Sequence, residues 1–551
     1  MIPLGFLAAF FFYPLAGIIG LGLDEGVQEG FSLSAGTQKV FWFTLGQALL
    51  STALTLALGL PGAYILANYS FRGKPLFRAI TAVPFVMPTL VVATAFSAFL
   101  GPTGWVNTFL IEIFDLAEPP IRFVRTFTAI LTAHVFYNLT IVLRLVGDFW
   151  SQLDPGHERA AAALGADRWE TFRRVTLPLL APAIAAAGLL VFIFDFSSFA
   201  VVLVLGGPRY ATLEVEIFRQ VASFGNLPAA AVLSLIQLVC TLVLTVLYLR
   251  FSGRTARPVD RRTRTVRRNR LPRPGTFRGL ALRAVLAACL LLTAAPLAAL
   301  AAGSVVNLSR VRTRTGSLDR GLTTAFYSAL VSEESAGVTT NSPLQAAGVS
   351  LGFGAVTVAL ALLLGLPTAW VLARRGVPAL TRLIDPLLML PLGTSAVTLG
   401  LGFIVALDSP PLDLRTSPLM IPLAHTLVAF PFVVRSMTPA LGSIQPRLRE
   451  AAAVLGASPL EVIRTIDLPL VLRAVTVAAA FAFAISLGEF GATAIITRPE
   501  YQTIPSVIYR LLGRPGALNY GQALALSTIL MLLTLTATLA IERFRVRGEA
   551  F

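Results

Sequence analysis

The feature that most restricts this chain is a succession of apolar stretches, each about twenty residues long and without the alternation of a strand. Twenty residues of helix rise about 30 Å, the thickness of a bilayer's hydrocarbon core. A membrane β-barrel would instead show ten-residue segments alternating apolar with polar. Within a helix every backbone polar group is satisfied inside its own segment, as lipid requires. Read in order, the stretches give about twelve spans: roughly 2–21, 40–67, 78–100, 127–149, 180–204, 228–250, 283–303, 346–373, 382–406, 419–440, 471–496 and 519–541. Only 13% of the 551 residues are charged and 56% are hydrophobic, whereas soluble domains carry roughly 25% charged residues. The expectation is an all-α polytopic membrane protein.

The net charge of +16 is unevenly placed, with twelve Arg against the single acid Asp260 between Arg250 and Arg283. A run of this kind suits nucleic acid, but between two membrane halves it reads better as a connector retained in the cytoplasm by its charge. Anionic lipid would also attract it. No nucleic-acid partner is expected. The basic segments 71–78, 151–174, 250–283, 374–376, 447–464 and 542–548 alternate as cytoplasmic loops, so the expectation is a multi-pass protein of the cell inner or plasma membrane with both termini cytoplasmic. The loop 304–345, with Arg310, Arg312, Arg314 and Arg320, breaks that pattern, though it is long enough for the rule to weaken. Met1–Leu21 lacks a basic leader and a small-residue cleavage site, so it reads as the first span. Cys240 and Cys289 both fall in apolar segments and build neither a disulfide framework nor a metal site.

The chain repeats itself. "LGLPGAYILA" (58–67) answers "LGLPTAWVLA" (364–373). His134, Arg144, Pro155, Gly165 and Pro178 answer His425, Arg435, Pro446, Gly456 and Pro469, each displaced by 291 positions. The same displacement carries "PRYATLEVEIFR" (208–219) onto "PEYQTIPSVIYR" (499–510). So many polar landmarks at one offset mark an internal duplication. The division expected is a first transmembrane half over 1–252, a basic linker over 253–282 and a second half over 283–551. An even number of spans per half gives both copies one orientation, related by an axis along the membrane normal, where a solute path would run.

Each half also carries a soluble-looking string, "RAAAALGADRWETFRRVTLP" (159–178) and "REAAAVLGASPLEVIRTIDLP" (449–469). In the second, Pro446 suits a first helical turn, "RLREAAAVL" favours helix, and Gly456 supplies a break. A further short helix then begins at a Ser cap before Pro. One such elbow could be an ordinary interfacial loop; two at corresponding positions need another reason. The strings resemble the "EAA" signature of permease subunits in binding-protein-dependent ABC importers. Glu450, Ala451, Ala452, Gly456, Ile466, Leu468 and Pro469 follow it throughout. Arg159, Ala160, Ala161, Gly165, Val175, Leu177 and Pro178 follow it with one departure, the acid standing one place early at Glu158.

The resemblance implies that each elbow is a coupling helix seated in a cleft of a cytoplasmic ATPase, two elbows serving the two clefts of an ATPase dimer. It further implies a solute-binding protein outside. The departure leaves open whether the first copy makes the salt bridge expected of Glu450. The chain has no G-x-x-x-x-G-K-[ST], so ATP hydrolysis is expected from a separate subunit, with no enzyme activity or cofactor of its own. Fused double permeases of this kind resemble those importing thiamine and those importing ferric iron. Residues 194–221 look more like the thiamine type, and 486–513 look like both.

Asp195 and Glu489 fall inside expected spans, where an ionisable group is a candidate for function. Asp195 corresponds to Ser486, one turn before Glu489, and Ser198 corresponds to Glu489, so Asp195, Ser198, Ser486 and Glu489 are the expected residues of the path. Paired carboxylates there would favour a cation, organic or Fe³⁺, or would make hydrogen bonds between helices that hold a gate. His134 and His425 are expected to pack with backbone hydrogen bonds rather than bind metal. The stretches Tyr210–Thr212 and Tyr501–Thr503 are expected outside, contributing with Glu216 to binding-protein docking. A twelve-span secondary transporter is the principal rival reading and an intramembrane enzyme a distant one; neither accounts for two elbows.

Overall fold

The structure, a computed structural model, describes residues 2–28, 34–255, 269–273, 275–307, 312–313, 316–317, 321–331, 342–373, 387–388, 390–408, 410 and 412–544. The basic segments 256–268, 374–376 and 545–548 and the residues Arg310, Arg314 and Arg320 lie outside these. Among the described residues, eleven helices are long and apolar enough to cross a membrane, with a shorter apolar helix at Ala396–Ala406.

The helices fall into two matching series. The first is α1 (Ile2–Asp24), α2 (Ala35–Asn68), α3 (Thr89–Leu100), α4 (Phe127–Trp150), α5 (Pro155–Ala163), α6 (Arg168–Phe196), α7 (Leu213–Arg219) and α8 (Leu227–Thr255). The second is α9 (Phe277–Gly303), α10 (Pro343–Ala373), α11 (Ala396–Ala406), α12 (Met420–Gly442), α13 (Pro446–Val454), α14 (Pro459–Gly488), α15 (Ile504–Leu512) and α16 (Ala517–Phe544).

α2 shows how such a helix is held without a hydrophobic drive, lipid being as apolar as leucine. Its buried face carries Thr44, Ala48, Ser51, Thr55, Gly59 and Gly62, while Trp42, Leu49, Leu50 and Leu58 are exposed. The matching positions of α10, Ser350, Gly354, Thr357, Ala361, Gly365 and Thr368, are likewise buried. Small residues let the backbones approach. A Cβ on Gly59 would lie 2.7 Å from Val142 Cγ1, and one on Gly365 would lie 2.5 Å from Val433 Cγ1. This is what the repeated "LGLP" encodes. Gly365→Leu should therefore cost about 1–3 kcal/mol through overpacking, read as a lower unfolding temperature of the detergent-solubilised protein. Gly348→Leu on the same helix, where a Cβ meets nothing within 4 Å, should leave that temperature unchanged.

The two series interlock through their first helices. α1 packs on α8 of its own series and on α11 of the other, and α9 packs on α16 of its own series and on α3 of the other. A Cβ on Gly17 would lie 3.3 Å from Val405 Cγ1, and Trp105 Nε1 donates to the Ala299 carbonyl at 3.1 Å. Each half is thus completed by a helix from its partner. The end of the connector is anchored too: Asn269–Arg270 pairs in parallel with Tyr69–Ser70, and Arg278 donates to the Tyr69 hydroxyl at 2.8 Å.

Four expected spans differ from the observed helices. The expected span 78–100 is broken ahead of α3, where Pro84 and Pro88 remove backbone donors. The expected span 382–406 is represented by the short α11, residues 381–386 lying outside the described residues. The expected spans 180–204 and 471–496 are interrupted, and these interruptions matter for function.

Candidate coupling elbows and solute path

The elbows are built alike from backbone chemistry. α5 and α13 each end at a glycine in the left-handed region, Gly165 at φ +87° and Gly456 at φ +86°. Ala166 N–H reaches back to Ala161 O and Gly165 N–H to Ala162 O, each at 3.1 Å. Ala457 N–H to Ala452 O and Gly456 N–H to Ala453 O repeat the pattern at 3.0 Å. This double bond set satisfies carbonyls that a helix end leaves bare, and it needs positive φ at that one residue. Asp167 accepts from Glu170 N–H at 2.7 Å and so caps the next helix. Its counterpart Ser458 forms a capping box with Glu461.

The second helix does not stop at the Leu-Pro step before the span. In both copies it runs on through a wider π turn, Phe172–Thr176 or Ile463–Asp467, into the membrane helix. Pro178 and Pro469 stand two positions after these turns. A proline there lacks the N–H of a regular turn and crowds the carbonyl four residues back, and the wider turn accommodates both effects.

The departure at Glu158 now has a structural counterpart. Thr176 Oγ1 donates to Glu158 Oε1 at 2.9 Å, and at the matching positions Arg449 Nε donates to Asp467 Oδ1 at 2.7 Å. The inner position of each elbow thus ties it to the base of the next span, by a neutral donor in one copy and an ion pair in the other. The outer position, Arg159 or Glu450, is exposed, so the two elbows present opposite charges. Ala160 is exposed and Ala161 half-buried; Ala451 is exposed and Ala452 half-buried. Apolar side chains are exposed at corresponding points: Leu164 at 88% with Trp169 at 68%, and Leu455 at 87% with Leu460 at 57%. Exposed apolar groups clustered on a polar elbow are the chemistry of a partner surface.

The second region lies where α6 and α14 end. Residues 197–199 and 489–490 are non-helical, and helix resumes at 200 and at Gly491. Broken helices at membrane depth are tolerated where protein buries them or a polar path passes, and a matched pair of breaks points to a solute site. Each break is held by one buried histidine. His134 Nε2 bonds Ser198 Oγ at 2.8 Å, and its Nδ1 bonds Ser51 Oγ at 3.0 Å with Asp195 Oδ1 at 3.5 Å. His425 Nδ1 bonds Ser486 Oγ at 2.8 Å, and its Nε2 lies 2.9 Å from Thr493 Oγ1 and 3.2 Å from Glu489 Oε2. Acid and hydroxyl have exchanged places between the copies.

The four expected path residues are therefore brought together as two pairs, Asp195 with Ser198 and Ser486 with Glu489, each about a histidine. The histidines bond side chains, not the backbone groups expected of them. Their signal in the sequence was the shared 61-residue interval from His134 to Asp195 and from His425 to Ser486. Gln47 and Asn138 carried no such signal. Gln47 Nε2 donates to the Asp195 carbonyl and Asn138 Nδ2 to Asp195 Oδ1, both at 2.7 Å. Glu489 accepts from the N–H groups of Ala492 at 2.9 Å and Thr493 at 3.2 Å, and so anchors the resumed helix. Asp195 Oδ2 is buried and has no hydrogen-bond partner among the described residues.

The Tyr-x-Thr stretches differ from expectation. Thr212 and Thr503 are buried, Thr212 Oγ1 donating to the Ser198 carbonyl at 2.9 Å. Leu213 N–H donates to Thr44 Oγ1 at 3.0 Å, as Ile504 N–H does to Ser350 Oγ at 2.8 Å. Thr212 ties α7 to the first break, the N–H groups of Leu213 and Ile504 tie α7 and α15 to α2 and α10, and Thr503 bonds Ser506 at the start of α15, whereas Glu216 and Tyr501 are partly exposed.

Comparison with known proteins gives consistent results. The family of binding-protein-dependent transport system inner membrane components matches residues 59–257 and again 361–547. The thiamine transport system permease protein ThiP of Brucella abortus is 31% identical over 558 residues, spanning 99% of this chain and 96% of that one. ThiP of Escherichia coli is 27% identical across 86% of this chain and 83% of its own. A putative 2-aminoethylphosphonate transport system permease of Salmonella typhimurium matches 46% of this chain and 92% of itself at 27% identity, a single repeat against half of a double one. With the family domain matched twice over the greater part of its length, this chain belongs to the inner membrane components of binding-protein-dependent transport systems, as a permease of the ABC importer type with two halves in one polypeptide.

Proposed function

We propose that this permease passes thiamine from an external binding protein to the cytoplasm, driven by a separate ATPase dimer that seats one elbow in each of its clefts. Both termini and both elbows lie on the cytoplasmic side. The coupling residues are Glu158, Arg159, Ala160, Ala161 and Gly165 in the first elbow and Glu450, Ala451, Ala452 and Gly456 in the second. The observation that carries the coupling is the pair of identically folded elbows with matched apolar side chains exposed. Thiamine is favoured because relatives named for it align across nearly the whole chain.

In this reading the chain hydrolyses nothing. ATP closes the ATPase dimer, the elbows follow, and the two halves move from an inward-open to an outward-open arrangement. ATP can do this only by binding more tightly to the form it favours. The external binding protein acts on the same equilibrium from the other side, so each partner raises the other's apparent affinity. Asp195 and Glu489, each held against a histidine, set the two breaks past which the solute travels.

The test is uptake by liposomes holding the permease, its ATPase and its binding protein. Thiamine should accumulate with ATP inside and should stop when ATP is withdrawn, whatever the proton gradient. Accumulation driven by the gradient alone would instead indicate a secondary transporter. No accumulation of thiamine, with ATPase activity intact, would overturn the solute assignment.

A further inference from the structure

Four aromatic rings meet where the two halves face one another. Phe199 stacks on Phe490 with centroids 5.6 Å apart and planes 22° apart. Phe218 lies edge-on to Phe199 at 5.3 Å, Tyr509 lies 5.4 Å from Phe490, and Phe218 meets Tyr509 at 6.5 Å. Phe199 and Phe490 are counterparts under the 291-residue displacement, and so are Phe218 and Tyr509. Residues exchanged by a two-fold axis that also touch each other must straddle it. The quartet therefore sits on the pseudo-symmetry axis, and its central pair occupies the two helix breaks. Phe199 and Phe490 are 7% and 3% exposed, so the rings close the axis in this conformation.

The surroundings are acidic. Glu214, one turn before Phe218 on α7, is buried and accepts from Gln237 Nε2 at 2.7 Å. Its carboxyl also faces Ser395 of the other half and lies within electrostatic reach of Glu489. Arg219 is turned to Glu216 at 3.8 Å and to the carbonyls of Gly207 and Pro208, and its counterpart Arg510 follows Tyr509 in the other half. An apolar seal alone would be served by the leucines and valines used elsewhere in the bundle. Ring faces are electron-rich and attract planar or positively charged groups, most strongly where water is excluded.

From this geometry we propose that the quartet of Phe199, Phe218, Phe490 and Tyr509 both seals the axis and forms a π-faced slot through which a planar aromatic cation passes. The inference rests on the thiamine reading, since thiamine carries a thiazolium ring and an aminopyrimidine. As the halves part, the Phe199–Phe490 stack opens, and one ring system of the solute takes the place of the lost ring–ring contact. The Glu489 carboxylate, next to Phe490 in the chain, favours its positive charge.

The experiment compares two double variants of the full chain, reconstituted in liposomes with ATPase and binding protein and supplied with thiamine. Phe199→Leu with Phe490→Leu keeps apolar bulk and removes the faces; it should lower uptake by about tenfold or more while the vesicles still retain a small dye. Phe199→Tyr with Phe490→Tyr keeps the faces and should stay within about twofold of the parent. Parental uptake by the leucine variant would overturn the slot and leave only a seal, and equal losses in both variants would trace the effect to packing. Should the leucine pair not assemble with the ATPase, Phe218→Leu, at a half-buried ring, takes its place; unchanged uptake there would likewise overturn the slot. A parent that moves no thiamine fails before any variant is compared, and this inference then falls with the solute assignment.

Discussion

Aspartate at Leu455 and Leu460 together is expected to abolish coupled uptake and release the ATPase from this permease. These side chains are 87% and 57% exposed, so their replacement removes little that holds the fold. In a docking cleft they would be buried. Truncating a well-packed apolar residue at the centre of an interface costs about 1–2 kcal/mol, and a carboxylate there adds the cost of burying an unpaired charge. A loss of about 100-fold or more in association follows from one elbow alone. Leu164→Asp with Trp169→Asp should match it, because a dimeric motor offers one cleft to each half and moves both. Co-elution of the solubilised complex measures the association, and uptake measures the coupling. Continued co-elution and transport in both double variants would end the coupling interpretation of the elbows.

His425→Leu should be the most damaging single change in the membrane region. It would leave the buried Glu489 carboxylate without its imidazole partner and strip the bond to Ser486. Removing one member of a buried pair costs about 3–5 kcal/mol, because the remaining charge stays uncompensated. The break at residues 489–490 would lose its anchor, and uptake should fall with the unfolding temperature. Glu489→Gln placed in the His425→Leu background should recover much of the stability, since a carboxamide still accepts from Ala492 N–H and carries no charge. Equal stability of His425→Leu and the parent would show that the histidine does not hold the break.

Much of the elbow was legible in the residues because its causes are local. Gly456 needs left-handed backbone, Ser458 caps the helix after it, and neither depends on distant chain. What local reading missed was the continuous passage through the π turns into the spans, because a Leu-Pro step looks like an ending until the widened turn that admits it is seen. The helix breaks were hidden for a related reason. Apolar residues continue on both sides of Ser197–Phe199 and Glu489–Phe490, and hydropathy sums over them as over an unbroken helix. The exchange of acid and hydroxyl between the copies was visible as Asp195 against Ser486 and Ser198 against Glu489, but its sense depends on which ring nitrogen each one meets.

The order of residues by itself determined a helical membrane bundle, its duplication and the two elbows, because each follows from chain periodicity, capping chemistry or repetition within a short window. Only the tertiary structure decided that the first helices are exchanged between halves, that each histidine clasps a break some sixty residues away, and that Phe199 meets Phe490 on the axis. The physical reason is that lipid supplies no force to sort one apolar face from another. Partners in such a bundle are chosen by close fit and by side-chain hydrogen bonds between remote segments, and those exist only once the chain is packed.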